Sequence, residues 1–102
     1  MITIFFSARA LEDKVESFRK MAKKATLLFR EDDGCLAYVF HQQIDDPRNF
    51  VLREQWRDET ALNAHIKHLI EEFGPPKPGD QLPAAIMEMC ESVDLKFYEE
   101  VI

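Results

Sequence analysis

"CLAYVFHQQIDDPRNFVLREQW" occupies residues 35–56. Residues 35–42 and 49–56 are rich in aromatic and β-branched side chains, which suit a pleated surface, so both read as strands. The joining segment "QIDDPRN" carries Asp45-Asp46-Pro47, a sequence with turn chemistry. The stretch therefore predicts a β-hairpin. In its second strand Phe50, Leu52 and Trp56 share one face, with Glu54 as the polar exception, and Val51, Arg53 and Gln55 take the other. The first strand is apolar on both faces, Leu36, Tyr38 and Phe40 against Cys35, Ala37 and Val39.

The flanking segments have helical and strand periods. Residues 2–8 alternate loosely as a strand. Residues 11–30 read as a helix, with Leu11, Val15, Phe18, Ala22, Ala25 and Phe29 on one face. Glu12 and Asp13 fall in its first turn, where the macrodipole favours acids. Gly34 suits a left-handed residue past the helix end. Downstream, residues 59–73 form a second helix, stopped by "GPPKPGDQLP". A short helix is expected at 83–90, with Pro83 in its first position, and a last strand at 92–101.

The order β-α-β-β-α-(short α)-β is the split βαβ, or ferredoxin-like, arrangement of the α+β class. Two helices cover only one face of the four-stranded antiparallel sheet. The second strand is apolar on both faces, and a soluble monomer rarely exposes a large apolar patch. A homodimer with its sheets face to face is the expected solution.

Composition narrows the function classes. The chain has 102 residues, enough for one domain spanning 1–102, and 46% of them are hydrophobic. The formal charge is −6, which is not the footprint of a nucleic-acid or anionic-membrane binder. Met1 leads into "ITIFFSA" with no export signature, and the apolar runs are short, so a cytoplasmic protein is expected. Cys35 and Cys90 sit beside apolar neighbours and read as reduced core residues. Ligand clusters at zinc spacing and a Gly-rich phosphate loop are both missing, so no metal, flavin or haem is expected.

The helix at 59–73 contains one residue out of place. Leu62, Ile66, Leu69 and Phe73 make its apolar stripe, and His65 falls inside it. Two readings stay open. In one, His65 is a packed imidazole bonded to Glu54 or to a backbone carbonyl, since burying it unpaired costs roughly 1–3 kcal/mol. In the other, the stripe faces a cavity and His65 is a general base, with Glu54 holding its second nitrogen. Trp56 and Tyr38 are candidates to line an aromatic pocket or to be plain core, and Tyr38 could donate to a substrate oxygen. His41 is expected at a rim or interface. His68 leaves the stripe, and two histidines without a third ligand do not make a metal site. The loop "GPPKPGDQLP" is a candidate pocket cover or a rigid connector.

Taken together, Gly34-Cys35, Tyr38, "DDP", "FVLREQW" and "ETALNAH" resemble the central signature of the antibiotic biosynthesis monooxygenase domain, over about residues 1–100. The resemblance implies a dimeric α+β barrel of ferredoxin-like subunits. It also implies a cofactor-independent monooxygenase that acts on a small aromatic or quinol-type molecule with dioxygen, and it favours His65 as a functional residue. Haem-degrading relatives use an Asn on the first strand, a Trp on the second main helix and a later His. Here Ser7 stands near the first position, no Trp follows Trp56 and no His follows His68, so haem is not expected. Fold alone does not fix activity. A non-catalytic or stress-linked small-molecule binding protein, and an isomerase using the same base, are the alternatives. An open apolar cavity walled by His65 and Glu54 would favour catalysis, a fully packed site the binding reading.

Overall fold

A computed structural model describes residues 1–102. Its elements are β1 (Ile2–Ala10), α1 (Val15–Phe29), β2 (Cys35–Gln42), β3 (Asn49–Trp56), α2 (Glu59–Phe73), α3 (Ala84–Met87) and β4 (Cys90–Glu99). The strands form one sheet in the order β2-β3-β1-β4, with antiparallel neighbours throughout. This is the ferredoxin-like α+β arrangement that the hairpin and its flanking helices predict. No helix is long and apolar enough to cross a membrane.

Several boundaries differ from expectation. Helix α1 begins at Val15 rather than at 11, because the Leu11 N–H donates to the Met89 carbonyl and Lys14 N–H closes a turn onto Leu11. Glu12 and Asp13 therefore precede the helix, and Glu16 is the acid in its first turn. Pro83 precedes the first helical residue of α3 instead of occupying it. Ala10 pairs with Cys90 past an irregularity after Arg9, which starts β4 two residues earlier than position 92. The strand ends at Glu99, leaving Val101 and Ile102 exposed.

Strand β2 holds the most informative departure. Cys35 pairs with Trp56, and Ala37 with Gln55, so Leu36 is an extra residue in a bulge. The bulge turns Cys35 toward the helices and leaves Leu36 exposed, the reverse of strict alternation. From Tyr38 onward the expected faces hold, with Tyr38 opposite Glu54 and Phe40 opposite Leu52.

The core lies between the inner sheet face and the helices. Helix α1 buries Phe18, Met21, Ala22, Ala25 and Phe29. Phe18 stacks at 4.5 Å on Phe50 and meets Phe40 edge-on at 6.1 Å. Opposite, strands β1 and β3 present Ile4, Phe6, Ala8, Phe50, Leu52 and Trp56. The outer sheet face is more mixed than expected: Phe5, Val39, Val51 and Tyr98 lie among Thr3, Arg53, Gln55, Asp94 and Lys96.

Candidate functional site

Helix α2 is placed by its first turn. The Asp58 carboxylate accepts from the Ala61 N–H at 2.9 Å, an N-cap that satisfies one otherwise free donor. Behind it Ala61, Leu62 and His65 are the buried residues, with Leu69 and Phe73 partly covered. Ile66 is 39% exposed, so it borders the stripe and His65 stands at its centre. Residues 61, 62, 65 and 69 make a tighter helical face than 62, 66, 69 and 73.

The His65 ring is enclosed by aromatic side chains. The Trp56 indole stacks on it at 4.3 Å between centroids, 24° from parallel. Phe29 meets it edge-on at 4.7 Å and Tyr38 at 5.8 Å. Its Nδ1 lies 3.3 Å from Asp32 Oδ2, and its Nε2 lies 3.7 Å from Glu54 Oε1. That second distance is too long for a direct hydrogen bond. The Glu54 oxygen instead accepts from the Trp56 indole N–H at 2.7 Å.

Burial decides the charge states. It pushes the Glu54 carboxyl up to about 7, against the Trp56 N–H, which lowers it. It also pushes the His65 imidazole below its ordinary value, opposed by the hydrogen bond and charge of Asp32. Both shifts favour neutral forms, so an uncharged imidazole stands beside a carboxyl that titrates near neutrality. For Tyr38, burial and then the Glu54 charge push the phenol well above its ordinary range, keeping the hydroxyl protonated.

A cavity of about 230 Å³ opens beside this pair. Ile4, Leu62, Ile66, Leu69, Leu82, Leu95 and Phe97 make its apolar wall, and Glu54, His65 and Gln81 are its polar members. A smaller recess of about 30 Å³ shares Glu54 and His65 with this cavity and is lined also by Tyr38 and Phe40. Gln81 and Leu82, from the end of the Pro- and Gly-rich loop, line the cavity.

Of the four candidates read from the sequence, His65 and Glu54 stand together at the cavity wall and Tyr38 lines the smaller recess. Trp56 lines neither space. It is fully buried behind His65, where it stacks on the ring and holds Glu54. Asp32 was missed. It sits in the turn 30–34, where "REDD" gave no reason to choose among three acids. The same carboxylate also bonds His68, whose Nδ1 lies 2.8 Å from Asp32 Oδ1. The bond to Asp32 at Nδ1 replaces the expected one to Glu54.

An imidazole and a carboxyl, both pushed by burial toward their neutral forms, thus share the wall of an apolar cavity in a ferredoxin-like domain. The model of the antibiotic biosynthesis monooxygenase family matches residues 1–70. The chain belongs to that family. A Pseudomonas aeruginosa protein of known structure is 21% identical, with 99% of this chain and 94% of that one superposed at a TM-score of 0.81. A conserved Bacteroides thetaiotaomicron protein is 25% identical over 97% and 96% of the two chains, at 0.79. An uncharacterized Synechocystis protein is 26% identical over 66 residues, 65% of this chain. The chain spans 45% of the length of that relative.

Proposed function

We propose that the protein is a cofactor-independent monooxygenase acting on a small aromatic or quinol-type molecule, with His65 as its base. The observation that carries this reading is the apolar cavity bordered by Glu54 and the Nε2 edge of His65. There His65 Nε2 and Glu54 Oε1 lie 3.7 Å apart. A ligand hydroxyl donating to Nε2 would satisfy the base. Cavity size supports a ligand of one or two rings. An apolar cavity of about 150 Å³ accommodates benzene, whereas sites for drug-sized ligands exceed about 300 Å³. The value here is 230 Å³. The apolar wall also suits dioxygen, and the open cavity favours catalysis over a packed binding or structural role.

The chemistry follows from the ligand. His65 Nε2 takes the hydroxyl proton, and the electron-rich anion passes an electron to dioxygen. The two radicals combine at a ring carbon as a peroxide. Return of the proton gives a hydroperoxide, whose O–O bond breaks as the hydrogen on that ring carbon is lost, releasing water and leaving one oxygen atom on the product. Hydroquinone plus dioxygen thus gives hydroxyquinone plus water, with all four electrons drawn from the ring. The protein supplies the base, the dry pocket and hydrogen bonds to the developing charge. Protonated Tyr38, at the smaller recess, is placed to donate to a substrate oxygen. Trp56 acts through Glu54 and His65.

We further propose that residues 1–102 act as one domain and that two copies pack through their outer sheet faces, where Phe5 and Tyr98 meet edge-on at 5.6 Å. The cytoplasm is the proposed compartment. Oxygen uptake with a panel of hydroquinones and anthrones tests the activity. Consumption of one dioxygen per product, lost in His65→Ala protein of unchanged fold, is expected. A panel with no turnover above the buffer rate would contradict the reading.

A further inference from the structure

Asp32 is shared by two imidazoles. Its Oδ2 lies 3.3 Å from His65 Nδ1, and its Oδ1 lies 2.8 Å from His68 Nδ1. On the far side of His68, Nε2 lies 3.8 Å from Glu72 Oε1. Exposure rises along this path: the side chains of His65, Asp32 and His68 are 4%, 19% and 30% accessible. The line runs from the cavity wall to solvent, and the mechanism above uses only its inner end.

A neutral imidazole carries one ring proton, and two carboxyl groups compete for it here. If Nδ1 is protonated, it donates to Asp32, and Nε2 presents a lone pair beside Glu54 and the cavity. If Nε2 is protonated, it faces Glu54, and the base has no lone pair where a ligand would bind. The geometry favours the first arrangement. Asp32 is the nearer partner, and Glu54 Oε1 is already engaged by the Trp56 N–H.

We propose that Asp32 is the positioning residue of the His65 base, fixing the Nδ1–H tautomer that turns a bare Nε2 toward the cavity. The inference rests on the reading of His65 as the base. The other groups facing His65 are Glu54 and Trp56 from β3, Tyr38 from β2 and Phe29 from α1. Of these only Glu54 changes charge near neutrality.

The placement of Asp32 has a structural cause. Asp32 lies in the turn joining α1 to β2, whose Cys35 N–H donates to the Asp32 carbonyl at 3.0 Å. Gly34, at φ +82°, lets this turn approach α2 so closely that a Cβ on it would lie 2.4 Å from the Ala61 Cβ. The approach brings Asp32 within reach of two histidines one turn of α2 apart.

The test is long-range ¹⁵N–¹H correlation on the imidazoles of the whole chain at pH 8, beside oxygen uptake with a hydroquinone. In the wild-type protein His65 is expected as the Nδ1–H tautomer. Asp32→Ala should move it largely to Nε2–H and lower kcat by roughly 10²–10⁴-fold with KM little changed, the range associated with a general base. Asp32→Asn, whose carbonyl oxygen still accepts from Nδ1–H, should restore much of both signals and serves if the alanine variant does not fold. His68→Gln should keep the tautomer, because the contact between Asp32 and His65 Nδ1 is left in place. An Nε2–H tautomer in the wild-type protein, or an unchanged Nδ1–H tautomer in Asp32→Ala, overturns the proposal. A tautomer switch without oxygen uptake in any form of the protein would uphold the hold of Asp32 on the ring and sink the oxygenase reading instead.

Discussion

Replacing Glu54 by Gln should stabilise the protein at alkaline pH and do little at acid pH. Glu54 is buried on β3, and its carboxyl is raised from an ordinary 4.5 to about 7. Between those values the folded protein holds the proton and the unfolded chain does not. Stability therefore falls as pH rises through the window and levels off above 7. A difference of about 2.5, at ~1.4 kcal/mol for each pH unit, makes ionisation of Glu54 cost about 3 kcal/mol at pH 8. An amide keeps the size and the oxygen that accepts from Trp56 Nε1 at 2.7 Å, but does not ionise. For a domain of this size 1 kcal/mol shifts Tm by roughly 4–8 °C. The variant should thus melt about 10 °C or more above wild type at pH 8, and within a few degrees of it at pH 5. The difference between the proteins matters because His65 acts oppositely. Its depressed pKa costs stability at low pH, a cost relieved as pH rises toward 6.5. Circular-dichroism melts of both proteins at the two pH values are the assay. Melting curves separated by the same amount at pH 5 and pH 8 would refute the claim that Glu54 ionises at an energetic cost within this range.

Removing the Asp58 cap by Asp58→Ala should cost about 1 kcal/mol in urea unfolding, because the Ala61 N–H loses its acceptor. Gly34→Ala should cost more, about 2 kcal/mol or above, since it combines a left-handed φ with a clash against Ala61; equal stability to wild type in the same titration would contradict the close turn. Phe18→Ala should lose about 3–5 kcal/mol, because a fully buried ring packed on Phe40 and Phe50 disappears. Light scattering at micromolar concentration should give a dimer, reduced to monomer by charges placed at Phe5 and Val51.

The fold was legible because each element follows a simple period. The hairpin announces itself by alternation and by Asp-Asp-Pro, and α2 by its apolar stripe and proline stop. What misled were places where a distant partner overrides the local pattern. Leu11 looks helical, but its N–H is taken by Met89. Leu36 looks inward-facing, but the bulge against Trp56 turns it out. The site was half legible for the same reason. His65 is visible as a polar intrusion in an apolar stripe, and Glu54 as its counterpart on a strand. Asp32 is not, because only the fold carries a turn acid 33 residues away to the imidazole. Trp56 shows the limit of reading by residue type. An aromatic side chain near a site suggests a ligand wall, and only its indole N–H on Glu54 reveals a supporting place behind the base.

The most direct test of the account compares wild type and His65→Ala in an oxygen electrode with a hydroquinone and a chelator present, with Tm measured on the same preparations. Removing a buried ring that stacks on Trp56 should lower Tm, and at a temperature where both proteins are folded turnover should fall by roughly 10²–10⁴-fold. A variant that melts well below wild type yet, at a temperature where it is folded, consumes oxygen at the wild-type rate would show that His65 is a packed core residue and not the base.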